Sequence, residues 1–434
     1  MHTTKTALAT LALGLTGAAT HAENRIDVIR PDAPALAAHG DFAVGVRSLE
    51  LTAPGRIDIL GVTDDAIPTY DRPLTVELWY PAAAGTETGT VYDTVIRDGV
   101  TPTQLHGMAS RDATPAAEGS FPVVILSHGY PGNRMLMSHL GENLASKGYV
   151  TVSIDHTDST YSDQAAFGST LVNRPLDQRF VLDQMGDPGV VGEGIAAITD
   201  AETAAVIGYS MGGYGALIYG GAGVTQASTE YAWGAPRGLL EAHLAGSESH
   251  AALSDDPRLK AVIAIGPWGR NAGFWDAGGL AGVSRPLMVM AGGADDISVY
   301  SAMRSIFEEA TGTDRHLLTF NHANHNAAAP MPAPAESYAP VETLDFIPFE
   351  HYADAVWDTT RMNNITQHFA TAFLDLHLKG MADRGEFLEL VEDADAGVVA
   401  LDDAGNETAE HTYWQGFAPR TALGLRFETK AAGE

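Results

Sequence analysis

From about residue 120 onward, two hydrophobic patterns alternate along the chain. Short continuous apolar runs occupy residues 122–127, 149–154, 204–209, 260–265, 287–291 and 316–320. Runs of this length, apolar on both sides of the alternation, predict strands covered on both faces. Between them lie stretches that read as helices: 137–147, closed by Gly148, then 174–185, 211–219, 299–310 and a long one over 353–378. Upstream, residues 41–51 and 74–80 alternate apolar with polar positions, as half-buried strands do, and Pro81 ends the second. Residues 85–118 read as loop.

Strands that alternate with helices predict an α/β protein built on a doubly wound, mostly parallel sheet, and no internal repeat competes with that reading. The core domain is expected over residues 41–396. Residues 23–40, rich in Pro and Ala, read as a linker, and 397–434 as an acidic C-terminal extension, part of which docks through Tyr413, Trp414 and Phe417. Two segments, about 155–198 and 221–258, separate core elements and are expected to lie over the site as helical lid insertions. The proline-rich stretch 326–350 is expected to pack over the surface near the site.

Composition adds location and excludes partners. Residues 1–22 carry Lys5, an apolar stretch from Ala7 to Ala19 and small residues at Thr20 and Ala22, the pattern of a signal peptide. A secreted or periplasmic protein is expected. No later stretch approaches the ~20 apolar residues of a spanning helix. The net charge of −30, from 55 acidic and 25 basic residues, argues against nucleic acid or an anionic membrane as partner. The chain has 0 cysteines, which removes thiol nucleophiles, Cys-ligated metals and disulfides.

The chemistry is concentrated in Gly208-Tyr209-Ser210-Met211-Gly212, a G-x-S-x-G run between a predicted strand and a predicted helix. Such a turn lifts a serine hydroxyl clear of the sheet, and glycines flank it because side chains there would meet the tightly turned backbone. A serine needs a base, and the base needs an orienting acid. In the chain order Ser, acid, His, the candidates are Asp295, just past the strand at 287–291, and His325, past the strand at 316–320. Asp296 and His322 are the alternates, Asp296 also serving as a helix cap. His322 and His325 form an H-x-x-H pair, but with no Glu between them and no further ligand cluster, and no metal is expected. The oxyanion needs two backbone N–H groups. Met211, after the serine, supplies one, and the Ser127-His128-Gly129-Tyr130 loop supplies the other through Tyr130. His128, His156 and Trp268 are further pocket candidates, with a structural cluster as the alternative for His156, Asp155 and Asp158 and ordinary core packing as the alternative for Trp268.

These stretches, with Leu78-Trp79-Tyr80-Pro81, Leu144 to Tyr149 and Asp155-His156-Thr157-Asp158, resemble the α/β-hydrolases of the platelet-activating-factor acetylhydrolase (isoform II-like) and predicted dienelactone-hydrolase-like group over roughly residues 41–380. The resemblance implies an α/β-hydrolase fold with oxyanion donors at Tyr130 and Met211. Dienelactone hydrolases carry a cysteine where this chain has Ser210. The expected function is therefore a serine hydrolase that cleaves carboxylic esters through an acyl-enzyme without a cofactor. Short acyl esters are the default substrates and a polyester the polymeric alternative. A peptidase, a phospholipid-type acetylhydrolase and a non-catalytic binding protein on the same scaffold are the competing readings.

Overall fold

The apolar runs become the centre of a ten-stranded mixed sheet in a computed structural model that describes residues 23–434. The expected signal peptide, residues 1–22, lies outside the described residues. The main strands are β1 (Ala43–Ile57), β2 (Thr69–Ala82), β3 (Phe121–Ser127), β4 (Val150–Asp155), β5 (Thr199–Tyr209), β6 (Leu259–Ile265), β7 (Leu287–Gly292), β8 (Arg315–Phe320) and β9 (Leu425–Lys430). Their order is β9-β8-β7-β6-β5-β3-β4-β2-β1, with the short strand Ser110–Arg111 beside β1. The block from β4 to β8 is parallel throughout. Antiparallel β1 and β2 extend one side, and antiparallel β9 closes the other.

Side chains alternate between two cores, as the pleat requires. In β3, Val124 and Leu126 face α1 (Ser138–Ser146) and α5 (Thr359–Lys379). Val123 and Ile125 face the opposite core, which holds α2 (Phe167–Gln184), α3 (Met211–Tyr219) and α4 (Tyr300–Glu309). Strand order reverses between β3 and β5. The chain leaves β3 toward β4 on one side, then crosses back to β5 on the other. Loops beyond the carboxyl ends of β3 and β5 thus diverge and leave a crevice, the place where open α/β sheets bind ligands.

Four expectations change. Residues 23–40 are docked, not a linker: Asn24–Arg25 pair with Pro102–His106, Ile26 and Ala37 are buried, and Leu36 N–H donates to His368 Nδ1 at 3.1 Å. The segment 155–198 is no lid, because its helix α2 is a core crossover whose inner face buries Leu171, Val172, Val181 and Leu182. Apolar spacing had suggested a helix only from 174, since the buried side of its first turns is Gly168, Ser169 and Thr170. The segment 221–258 folds into short helices that bury Leu240 and Leu253 in the same core, with His243 bonded to Val172 O at 2.8 Å. Finally, 397–434 docks through the buried Tyr413, Trp414 and Phe417, as expected, but it is part of the core domain and not an extension beyond it. Its end supplies β9, and Phe427 stacks on Phe369 of α5 at 5.1 Å while Trp414 is buried beside them.

The core also encloses histidines. Burial holds His139 and His243 neutral, with pKa values pushed down to about 4, and His156 and His368 down to about 3. An unfolded chain would protonate the same groups near pH ~6.5. Below that point the unfolded state takes up protons first, so the stability these groups contribute is full above ~6.5 and is lost as pH falls toward 4. Each group costs up to ~1.4 kcal/mol per pH unit in that window. The melting temperature should therefore fall steeply between pH 6.5 and 4.5. A melt unchanged across that range by circular dichroism would contradict the assignment.

Candidate active site

The turn between β5 and α3 is a single residue long. β5 ends at Tyr209, α3 starts at Met211, and Ser210 between them sits at φ 53°, ψ −111°. That conformation lies outside the regions L-residues ordinarily occupy and is held by its surroundings. The Ser210 N–H donates to Ile265 O of β6 at 2.8 Å. The flanking glycines have steric reasons. A Cβ on Gly208 would stand 2.2 Å from Gly212 O, and one on Gly212 would stand 1.8 Å from Ser127 O, at the end of β3.

Sheet register delivers the partners. β7 and β8 end side by side, with Gly292 opposite Phe320. Three residues past Gly292 comes Asp295, and five past Phe320 comes His325. His325 Nδ1 lies 2.8 Å from Asp295 Oδ2, and Nε2 lies 3.0 Å from Ser210 Oγ. Since the carboxylate only accepts, Nδ1 carries the proton and Nε2 is free to accept from the serine hydroxyl. Asp295 Oδ1 accepts the N–H groups of Ile297 and Ser298, both at 2.9 Å, which fixes the carboxylate. The alternates are not in the hydrogen-bonded chain: His322 is exposed at φ 64°, and Asp296, though it lines the cavity, is exposed and bonds to neither histidine.

The oxyanion loop follows β3. Ser127 pairs with Gly208, so the loop beyond β3 and the turn beyond β5 start level. Among the described residues, neither the Tyr130 N–H nor the Met211 N–H donates to a protein acceptor. Helix α2 holds both sides. Arg174, fully buried, donates from Nη1 to His128 O and from Nη2 to Gly129 O at 3.2 Å and Ser159 Oγ at 2.6 Å. One turn on, Gln178 Nε2 donates to Gly212 O at 3.0 Å.

His128 and His156 belong to this scaffold and not to the cavity wall. The His156 backbone N–H donates to His128 Nε2 at 3.3 Å, so His128 Nδ1 carries the proton and donates to Gly129 O at 2.7 Å. His156 donates from Nδ1 to Asp177 at 3.0 Å and accepts from Ser127 Oγ at 2.9 Å. Burial alone would raise the Asp177 carboxyl, but Arg72 at 3.0 Å and His156 hold it well below the usual range. Trp268 also departs from expectation. It lies outside the cavity lining and packs in an aromatic cluster with Phe167 at 5.2 Å and half-exposed Trp233 at 6.4 Å, joined to Tyr130 through Phe167 at 4.9 Å.

The cavity in front of Ser210 has a volume of about 430 Å³. Neither 155–198 nor 221–258 lines it. Its walls come from Tyr130, Tyr209 and His325, from Phe346, Glu350 and His351 of the proline-rich stretch and the turn after it, and from Arg97. The expectation that 326–350 lies near the site thus agrees with the structure. Sequence reasoning missed Arg97, His351, Asn326 and the positioning pair Arg174 and Gln178. Tyr209 was inside the elbow, but its bond from OH to Asn326 Oδ1 at 3.2 Å had no local signal. Among the described residues, no group of three or more His, Cys, Asp or Glu is placed to hold a metal.

Comparison with known proteins fits this geometry. Residues 80–233 match the family model described as "PETase: PET hydrolase-like". "Cutinase est1" of Thermobifida alba is 26% identical over 215 residues, which is 49% of this chain and 56% of the relative. The "Bis(hydroxyethyl) terephthalate hydrolase" of Streptomyces coelicolor is 25% identical over 215 residues, 49% of this chain and 53% of the relative. The chain thus spans a little over half the length of these curated relatives. The solved structure of a ferulic acid esterase from Streptomyces cinnamoneus superposes with a TM-score of 0.56 at 22% identity, over 83% of this chain and 94% of that one. The fold is that of the α/β-hydrolases, as expected from the sequence. These matches support that superfamily and single out neither the acetylhydrolase nor the dienelactone-hydrolase-like group.

The contact between Gly212 and Ser127 gives a direct test. Gly212→Ala must push β3 or α3 aside, and overpacking of this kind costs ~1–3 kcal/mol. Chemical denaturation should show that loss. An unchanged midpoint would mean that the two backbones do not touch as described.

Proposed function

We propose that this protein is an exported serine hydrolase that cleaves carboxylic esters. The observation that carries the proposal is the hydrogen-bonded chain Asp295–His325–Ser210 beside two backbone N–H groups with no protein acceptor. In this reading Ser210 Oγ attacks the acyl carbonyl while His325 Nε2 takes its proton. Asp295 keeps the imidazole in the tautomer that can do so and stabilises the imidazolium. The N–H groups of Tyr130 and Met211 receive the oxyanion, each worth ~3–4 kcal/mol of transition-state stabilisation. His325 then protonates the leaving alcohol, and water, activated by the same nitrogen, releases the acid. In this reading every group that the reaction uses belongs to the chain.

The family match and the cutinase and terephthalate-ester hydrolase among the relatives favour esters of the cutin and polyester type over the phospholipid esters of an acetylhydrolase. Two features of the surface support that preference. The cavity is bounded on one side by the loop around Phe346, and beside it Trp268, Phe167 and half-exposed Trp233 form an apolar shelf next to the oxyanion loop. Among the described residues no helix is long and apolar enough to cross a membrane.

Ser210→Ala should lower the hydrolysis of a short p-nitrophenyl ester by at least ~1,000-fold. A fluorophosphonate should label the wild type and miss the variant. His325→Ala should lose activity to a similar extent, while His322→Ala stays within about threefold, since it touches neither Ser210 nor Asp295. Activity of Ser210→Ala within tenfold of wild type overturns the assignment. Labelling without ester turnover, but with cleavage of a peptide panel, would favour the peptidase reading, and absence of labelling would favour a binding protein.

A further inference from the structure

The chain carries many more carboxylates than cations, and its arginines are correspondingly engaged. Among the described arginines, only Arg97 and Arg420 have side chains in neither an ion pair nor a hydrogen bond. Arg420 is exposed at the surface. Arg97 is partly buried and lines the cavity in front of Ser210. Its guanidinium lies over the ring of Phe346, 5.7 Å from the centroid. Around it stand Tyr130, Tyr161 and Tyr352, and His351, whose Nε2 bonds to Tyr161 OH at 2.8 Å and which burial keeps neutral. None of these cancels the charge. The carboxylates that line the same cavity, Asp296 and Glu350, are exposed, and neither comes within 4.0 Å of the guanidinium. A half-buried guanidinium that lines a cavity with no carboxylate beside it is placed to pair with an anion that a ligand brings.

We infer that Arg97 binds a carboxylate carried by the substrate, so that the preferred small substrate is a half-ester of a dicarboxylic acid. This rests on the ester-hydrolase reading. The guanidinium fork matches a carboxylate through two parallel N–H···O bonds. A phosphate monoester would bring about two charges toward Asp296 and Glu350 with one cation to meet them, which disfavours it. In the reaction, Ser210 displaces the alcohol, and water then releases the acyl group as the second carboxylate. One water is consumed, and a dicarboxylate, an alcohol and a proton are formed.

The test compares a dicarboxylic acid monomethyl ester with its dimethyl ester. Arg97→Met retains the apolar stem against Phe346, and Arg97→Lys retains the charge without the fork. In Arg97→Met the ratio of kcat/KM for the half-ester over the diester should fall by about ten- to a hundredfold, mostly through KM, and in Arg97→Lys by a smaller factor. Equal losses on both esters, or an unchanged ratio, would overturn the inference and leave Arg97 a prop for the Phe346 loop. Calorimetric binding of the half-ester to Ser210→Ala needs no turnover. Adding Arg97→Met should weaken that binding at least tenfold, and an unchanged affinity would overturn the inference. If wild type cleaves neither ester but this loss of binding is seen, the ester-hydrolase reading fails while the carboxylate site stands.

Discussion

Backbone contact between the end of β3 and the start of α3 is the constraint on which the site depends. Ser127 and Gly208 lie level in adjacent strands, and Gly212 approaches Ser127 O so closely that a Cβ has no room. Because strand order reverses between these two strands, the loops that follow them part and leave the crevice in front of Ser210. The loop that carries Tyr130 and the turn that carries Met211 thus start level, from paired residues 81 positions apart in sequence. A hydroxyl held at φ 53° and two N–H groups without protein acceptors are both costs to the fold. The surrounding sheet outweighs them, as it can when such features cluster at a functional site.

Helix α2 makes that arrangement rigid. Arg174 and Gln178, one turn apart, hold carbonyls on the oxyanion loop and on the elbow helix respectively. Beneath them Arg72, Asp177, His156 and Ser127 form a buried relay of charged and neutral hydrogen bonds. Breaking a buried pair of this kind typically costs ~3–5 kcal/mol, because the remaining charge is left without a partner. The Asp-His stretch that contributed to the family resemblance therefore acts as support below the site. The cavity wall is made by different parts of the chain, Arg97 and the segment ending at His351.

Some of this was legible along the chain. The parallel strands read as unbroken apolar runs because both of their faces are covered, and that signal needs no knowledge of partners. Ser210 was legible because a one-residue strand-to-helix turn demands small neighbours. Asp295 could be chosen by its distance from a strand end, and the pair His322 and His325 found on the loop beyond the next strand, since functional groups in such sheets gather beyond the carboxyl ends. The roles of 155–198 and 221–258, and the strand at the end of 397–434, were not legible. Helix α2 buries Gly168, Ser169, Thr170, Asn173, Arg174 and Asp177 as well as apolar residues, so its core face does not look like one. β9 follows an acidic, loop-rich stretch, and its pairing with β8 spans more than 100 residues.

The local order of residues was enough to specify the α/β alternation, the one-residue turn at Ser210 and the order Ser, Asp, His past successive strands, because each depends on neighbours within a few positions. Choosing His325 over His322 required the register of β7 against β8 and the left-handed backbone at His322. The walls of the cavity, the anchoring of the oxyanion loop by α2 and the unpaired cation at Arg97 depend on contacts between distant segments. Composition shows only an excess of carboxylates. Which of the arginines would be left without one is decided by packing, since an ion pair needs its two groups within about 4 Å and no run of sequence encodes that distance.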